Sequence, residues 1–361
     1  MLGKTTDLGT VSIHQDQSIR DALTVIDRNR RGIALVLDDR RHLLGTLTDG
    51  DLRRAILAGA TLDTPLKVAL ERKGNAAPVT ARADADHAKL LSTMRERGVR
   101  HLPLLNDDGA VGGLVTLDEL LPDEVIPLQA VIMAGGFGKR LHPLTESLPK
   151  PMLPIGDKPV MELLVNQLRD AGIQTVNVTT HFEPEKIKDH FGDGSNFGVA
   201  MNYVSEESPL GTAGSLRLLE GSNEPLLVIN GDILTQVDFR AMLAFHREHK
   251  ADVTVAVRQY DFQVPYGVIE CAGSMVRTVH EKPVFNFFVN AGIYLLEPSV
   301  RECIPHGERF DMTDLIDHLL AKQRPVASFP IVEYWLDIGQ HADYQQAQED
   351  VRSGKFEPRT Q

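Results

Sequence analysis

The stretch GIALVLDDRRHLLGTLTDGDL, from Gly32 to Leu52, lies without a gap over RHLPLLNDDGAVGGLVTLDEL, from Arg100 to Leu120. The shift of sixty-eight pairs Leu37 with Leu105, Asp39 with Asp107, Gly45 with Gly113, Thr48 with Thr116 and Leu52 with Leu120. Each copy reads as an apolar strand, a polar turn, a second strand and a helix opening at a Thr or Asp cap. A helical pattern precedes each, in SIRDALTVIDRNR and in DHAKLLSTMRERG. A unit this small leaves one face of its sheet bare, so its twin is expected to cover it.

The pattern changes after LPDEVIPL (Leu121 to Leu128), whose two prolines suit a linker. Short apolar runs (LQAVIMA, TVNVTT, PLLVIN, DVTVAV) then alternate with helical ones. Among the latter are DKPVMELLVNQLRDAG, with Asp157 as candidate cap and Gly172 as candidate stop, and FRAMLAFHREHK. Such alternation predicts parallel strands joined by crossover helices. The expected fold is a Rossmann-like α/β domain, with a mixed, mostly parallel sheet and helices on both faces, preceded by an α+β repeat pair. The expected bounds are 1–122 for the pair (repeats about 8–58 and 63–122), 123–128 for the linker, 129–350 for the α/β domain and 351–361 for a flexible tail.

A chain of 361 residues has room for two or three domains. Its net charge of −12 argues against a general nucleic-acid binder, though a locally basic site can still hold an anion. Cys271 and Cys303 have neither metal-ligand nor disulfide-framework spacing. The first residues show no apolar signal segment, and no run approaches the ~20 apolar residues of a membrane helix. A cytoplasmic protein without a membrane partner is expected.

The segment MAGGFGKRLHPLTESLPKPMLP, from Met133 to Pro154, follows the first strand of the α/β domain. Open α/β sheets bind ligands at that place. Ala134, Gly135, Gly136 and Gly138 let backbone N–H groups approach a polyanion closely. Arg140 and Lys150 add two cations, and Pro143, Pro149, Pro151 and Pro154 stiffen the chain that carries them. No Gly-Lys-Ser/Thr follows, so this is not a Walker A loop, and Leu141 stands where a dinucleotide fingerprint has its third glycine. A stiffened basic loop suits a phosphate site, because a positioned cation needs little reorganisation as charge develops on phosphorus.

The N-terminal repeat resembles a tandem pair of CBS domains over roughly residues 8–121. That resemblance implies an adenine nucleotide, with the hydroxyl of Thr48 for phosphate and the carboxylate of Asp51 for ribose. Thr116 is the equivalent in the second repeat, where Glu119 replaces the Asp. A Thr at a helix start also serves as a plain cap, so both readings stand.

From Ala130 to about Tyr344 the chain resembles the sugar-1-phosphate nucleotidylyltransferases. The likeness begins in the glycine loop and continues in order through PLGTAGSL, NGD, PYGVIE, HEKP, NAGIY and YWLDIG. It implies nucleobase contacts at Gly211, Thr212 and Gly214, and sugar-phosphate contacts at Gly267, Glu281, Lys282 and Asn290. It also implies Mg²⁺ ligands at Asp232 and Asp337, with Arg140 on the triphosphate and Lys150 at the transferring phosphorus. The fusion with a CBS pair is similar to guanylyltransferases of legionaminic acid biosynthesis, some of which use glucosamine 1-phosphate.

The implied reaction joins a hexose 1-phosphate to a nucleoside triphosphate, GTP favoured, and releases pyrophosphate. The same fold with dTTP, CTP or UTP and a glucose- or mannose-type 1-phosphate is the alternative. A non-catalytic nucleotide sensor regulated by the CBS pair is a reading of another class. It would be expected to lose Lys150, Lys282 or one of the two aspartates, and all four are present. The attacking phosphate is already an anion at neutral pH, its second pKa being about 6, so no general base is required. A homo-oligomer is expected.

Overall fold

The computed structural model describes residues 7–74, 77–120 and 126–356. Residues 121–125 of the expected linker and 357–361 of the expected tail lie outside these. The chain divides into two compact units, Met1–Val125 and Ile126–Gln361.

In the first unit the repeat becomes two hairpins of identical register. Ile33–Leu37 pairs with Leu43–Thr48 and His101–Leu105 with Val111–Thr116, with Ile33 opposite Thr48 and His101 opposite Thr116. Each ladder has the same irregularity, after Val36 and after Leu104. Each hairpin gains a parallel third strand, Ser12–His14 and Ala81–Arg82. Strands of three and two residues carry no readable alternation, so the sequence does not reveal them. Val11, Ile33, Leu35 and Leu37 cluster with Val111 and Leu114, so the twin sheets do cover one another. A Glu119–Arg31 ion pair at 2.7 Å joins the repeats at their rim.

The helix Leu66–Lys73 corrects the expected repeat boundary at 63. Leu66 N donates to Gln17 O at 2.8 Å, and Ile19 N donates to Thr64 O at 2.9 Å, tying this segment to the first repeat. Lys73 then reaches back to Asp51, 2.7 Å from its Oδ2.

In the second unit a seven-stranded sheet runs in the order Ala200–Ser205, Thr175–Thr180, Gln129–Met133, Leu226–Asn230, Val284–Leu296, Val253–Gln263, Val326–Ile331. Only Val284–Leu296 runs against its neighbours. Ala130, Val131 and Ile132 are each fully buried, as are Leu227, Val228 and Ile229. Successive strand residues point to opposite faces, so both faces of the central sheet are covered. The helix expected from Asp157 runs Val160–Asp170 after Pro159, with no side-chain cap. Asp157 instead lies in the turn between the short paired strands Pro154–Ile155 and Lys158–Pro159. Among the described residues, no helix is long and apolar enough to cross a membrane.

Asp51 provides a stability test. Its Oδ2 accepts from Thr48 N at 2.9 Å and from Thr48 Oγ1 at 2.8 Å, and Arg54 and Lys73 pair with the same carboxylate. Burial pushes this carboxyl up, but Lys73 and the Thr48 donors outweigh it and hold it below the usual value. A depressed folded-state pKa stabilises above the unfolded pKa of about 3.9 and ceases to do so as pH falls through the folded value. Asp51→Ala is expected to cost about 2 kcal/mol, a lost cap plus a stranded Lys73. Amide exchange should then speed up in helix Asp49–Leu57 and not in the second unit, with the wild type approaching the variant only below about pH 4.

Candidate active site

The sheet order reverses around Gln129–Met133, whose neighbours are the later strands Thr175–Thr180 and Leu226–Asn230. Loops leaving such a point open a crevice at the carboxyl ends of the strands. Ala134 prolongs the strand, its N–H donating to Thr179 O at 2.9 Å. Gly135 passes beside Glu206, Gly136 is open to solvent, and Gly138 starts the tight turn Lys139–Leu141. Leu141 is fully buried with Leu153, Ile155 and Ile338, so the position lacking a third glycine serves as an anchor.

Lys150 stands in a tight turn, Lys150–Met152, in which Pro151 and Met152 are buried. In this structure the ammonium of Lys150, flanked by Pro149 and Pro151, rests on the carboxylate of Asp232. The two side chains are 11% and 21% exposed, so the pair is well shielded from water. Arg140 approaches from the other side, its Nη1 3.8 Å from where a Cβ on Gly339 would be.

The two aspartates converge because of a short antiparallel ladder. Gly231 N donates to Met133 O at 2.9 Å, and a Cβ at Gly231 would lie 2.9 Å from that oxygen and 3.0 Å from Pro151 Cγ. Only glycine lets the chain turn so close to the neighbouring strand. Ile233–Thr235 then pairs with Trp335–Asp337, Ile233 opposite Asp337, and Ile338 N donates to Asp232 O at 3.1 Å. Both carboxylates are thereby aimed from fixed backbone. Asp232 Oδ1 is buried without a hydrogen-bond partner. Desolvation, and after it the Asp232 charge, pushes the carboxyl of Asp337 up, against the pull of Lys150 and Arg140.

Gly136, Gly138, Lys139, Arg140, Lys150 and Asp232 line a cleft of about 240 Å³. Among the described residues, no three His, Cys, Asp or Glu side chains are grouped to hold a metal ion. Mg²⁺ needs no such cage, since it keeps several waters and takes phosphate oxygens with one or two carboxylates. Two converging carboxylates with one orphaned, buried oxygen fit that requirement.

The other expected residues are placed differently. Thr212 N donates to Asp311 Oδ1 at 2.9 Å and Thr212 Oγ1 accepts from Met312 N at 2.8 Å, docking the loop on the start of helix Met312–Ala321. Gly211, at φ +82°, comes so near this segment that a Cβ would lie 2.8 Å from Phe310 O, and at Gly214 it would lie 3.0 Å from Glu308 O. The sequence reading passes over Glu206, a buried carboxylate that bridges the two glycine loops. Its Oε2 accepts from Leu210 N at 3.0 Å, and its Oε1 is 3.0 Å from the Cβ position of Gly135. Burial pushes its carboxyl above the usual range. An acidic pair, Glu206–Glu207, at the end of a strand and just before PLGTAGSL was the available signal.

Asn290 does not line the cleft; its Oδ1 accepts from Gly292 N at 2.9 Å, and the Cβ position of Gly292 is 2.5 Å from Asn230 Nδ2. Gly267, Glu281 and Lys282 are grouped with each other, Glu281 Oε2 lying 3.2 Å from the Cβ position of Gly267. They do not line the cleft. An unbroken ladder from Asn290 to Val284 stands between, roughly 20 Å at the rise of an extended strand. In the first unit, Thr48 and Asp51 cap one helix and Thr116 accepts from Glu119 N at 3.2 Å at the next. A ribose at Asp51 would have to displace Lys73 and Arg54.

Residues 129–354 match the family described as Nucleotidyl transferase. The chain belongs to that family. Residues 7–58 and 75–122 match the CBS domain, so this nucleotidyl transferase carries a CBS pair at its N-terminal side. A protein of Oryza sativa subsp. japonica named as a mannose-1-phosphate guanylyltransferase is 34% identical, covering 60% of this chain and 63% of its own. A UTP–glucose-1-phosphate uridylyltransferase of Synechocystis is 33% identical over 63% of this chain and 64% of its own. The chain thus spans less than two thirds of the length of these relatives. A solved structure from Bacillus anthracis, described as a glucose-1-phosphate thymidylyltransferase with sucrose, aligns at TM-score 0.52 and 26% identity, over 64% of this chain and 97% of that one.

Gly211→Ala should destabilise the second unit by about 2 kcal/mol or more, from left-handed strain plus overpacking. Thermal melting without nucleotide reads this directly. A melt unchanged from wild type would mean that Gly211 serves only a ligand.

Proposed function

We propose that the second unit transfers a nucleotidyl group from a nucleoside triphosphate to a hexose 1-phosphate. The observation that carries this is the meeting of the glycine loop, Arg140, Lys150 and Asp232 at one cleft, with Asp337 beside Gly339 at its edge. An oxygen of the sugar phosphate attacks the α-phosphorus, the bond to the bridging oxygen breaks, and pyrophosphate leaves. Loop N–H groups and Arg140 hold the triphosphate, and Lys150, once off Asp232, faces the transferring phosphorus. The sugar 1-phosphate is assigned to Gly267, Glu281, Lys282 and Asn290. Asp232 and Asp337 would hold Mg²⁺, which supplies charge screening between two polyanions when bound.

GTP is the favoured donor. Glu206 presents a buried carboxylate beside the glycine loop, and an acceptor of that kind suits guanine, whose N1–H and 2-amino group lie side by side. Relatives named for guanylyl transfer support the same choice. The sugar is taken to be mannose-, glucose- or glucosamine-type.

Pyrophosphate release, measured with five nucleoside triphosphates against these sugar phosphates, tests the reading. No turnover with any pair would overturn it. Asp232→Asn and Asp337→Asn should each abolish most turnover and leave the melt intact. Lys150→Ala should lower kcat by roughly a hundred- to thousandfold, about what one positioned donor is worth. Glu206→Gln keeps an oxygen for Leu210 N, so it should lower kcat/KM for GTP about tenfold or more relative to UTP and dTTP.

A further inference from the structure

The strands Val253–Gln263 and Val284–Leu296 are buried at the sheet and exposed beyond it, where they continue as a two-stranded arm. The arm carries on through the hairpin Val268–Ala272 and Met275–His280, almost every residue of which is exposed. Cross-strand pairing makes its stalk two-faced. Tyr260 is opposite Phe287 and Phe262 opposite Phe285, all on one face, while Gln259, Asp261 and Asn286 lie on the other together with Phe288 and Val284.

Of the sixteen large apolar side chains exposed among the described residues, eleven lie on this arm. Tyr260, Phe262 and Phe287 are 50–56% exposed. A two-stranded ribbon is at best marginal alone in water, so an aromatic face of this kind calls for cover. Large aromatics are worth 150–250 Å² each, so four half-exposed rings offer about 400 Å², and the other exposed apolar side chains of the arm bring the patch toward the ~800 Å² that each partner buries in a standard interface. From Arg258 to Phe288 the arm holds three Lys or Arg and three Asp or Glu, a balance that suits a protein surface and not an anionic lipid or nucleic acid.

The arm also carries Gly267, Glu281 and Lys282, and its ladder runs without a break from Asn290 to Val284. That ladder is about 20 Å long at the rise of an extended strand, and Lys282, beyond its far end, does not line its own cleft. We propose that the arm is exchanged between two copies of this chain. In a two-fold dimer each arm lies against the partner, burying its aromatic face there and delivering Glu281 and Lys282 to the sugar-phosphate side of the partner's cleft. A two-fold interface makes the exchange reciprocal, so one dimer holds two composite sites. The inference rests on the sugar-phosphate reading of Lys282 given above.

The test mixes two variants of the full chain, Lys282→Ala and Asp232→Asn, differently tagged and co-expressed. Each alone should turn over at a small fraction of the wild-type rate. Random pairing puts one sound arm and one sound cleft together in half of the dimers, at one of their two sites, so the mixture should recover roughly a quarter of the wild-type rate. Native mass spectrometry confirms that mixed dimers are present. Mixed dimers without recovery, or a wild-type chain that sediments as a monomer at micromolar concentration, would overturn the exchange. Phe285→Ser with Phe287→Ser should shift sedimentation from dimer to monomer without lowering the melt of the sheet. A Lys282→Ala enzyme with wild-type KM and kcat would instead refute the sugar-phosphate reading, and sedimentation of the Phe variant then decides the interface by itself.

Discussion

Two carboxylates and a lysine meet in the second unit, Lys150 and Asp232 shielded and Asp337 at the exposed end of its strand, and the cleft depends on how that charge is balanced. Asp232 and Asp337 repel each other, which, after desolvation, is the larger part of why Asp337 is pushed up. Lys150 offsets the repulsion by pairing with Asp232. Buried charges need partners of this kind, because lone ones are strongly penalised by the loss of water. The Asp232–Asp337 ladder and the proline-flanked turn of Lys150 are therefore parts of one device, a charge balance held by backbone that cannot drift. Such a site is ready for phosphate, since an incoming polyanion competes for Lys150 and leaves the carboxylates to a cation.

The same side-chain patterns have two uses in this chain, and local structure decides between them. Thr48 and Asp51 satisfy each other at a helix start, and Lys73 from the following helix completes the arrangement. Thr212, expected near a nucleobase, spends its N–H and hydroxyl on Asp311 and Met312. In each case hydrogen-bond donors and acceptors that look free along the chain are taken by a segment distant in sequence. Glu206 is the opposite case, an unremarked acid that the fold buries between two loops.

The arm shows a similar contrast between a chemical motif and its position. PYGVIE and HEKP come together across one hairpin, as their shared assignment requires, yet the ladder that joins them also carries them away from the cleft. A continuous antiparallel ladder is stiff along its length, so distance from the cleft is a property of the pairing and not of the residues. The aromatic face of the stalk follows from the same pairing, since Tyr260, Phe262, Phe285 and Phe287 share a side only because their strands are in this register.

The repeat, the two units, the α/β alternation and the glycine loop were legible in the amino-acid sequence, because each depends on local periodicity, turn chemistry or spacing that a short window contains. Even the hairpin register was implicit, since a shift of sixty-eight carries Ile33–Thr48 onto His101–Thr116. Tertiary structure alone decided that Leu66–Lys73 packs on the first repeat, that Lys150 rests on Asp232, that Thr212 is engaged by Asp311, and that Lys282 does not line the cleft. Those are pairings across long stretches of chain. They are settled by which buried groups find partners and by which strand reaches a neighbour, and residue order in one dimension does not encode either.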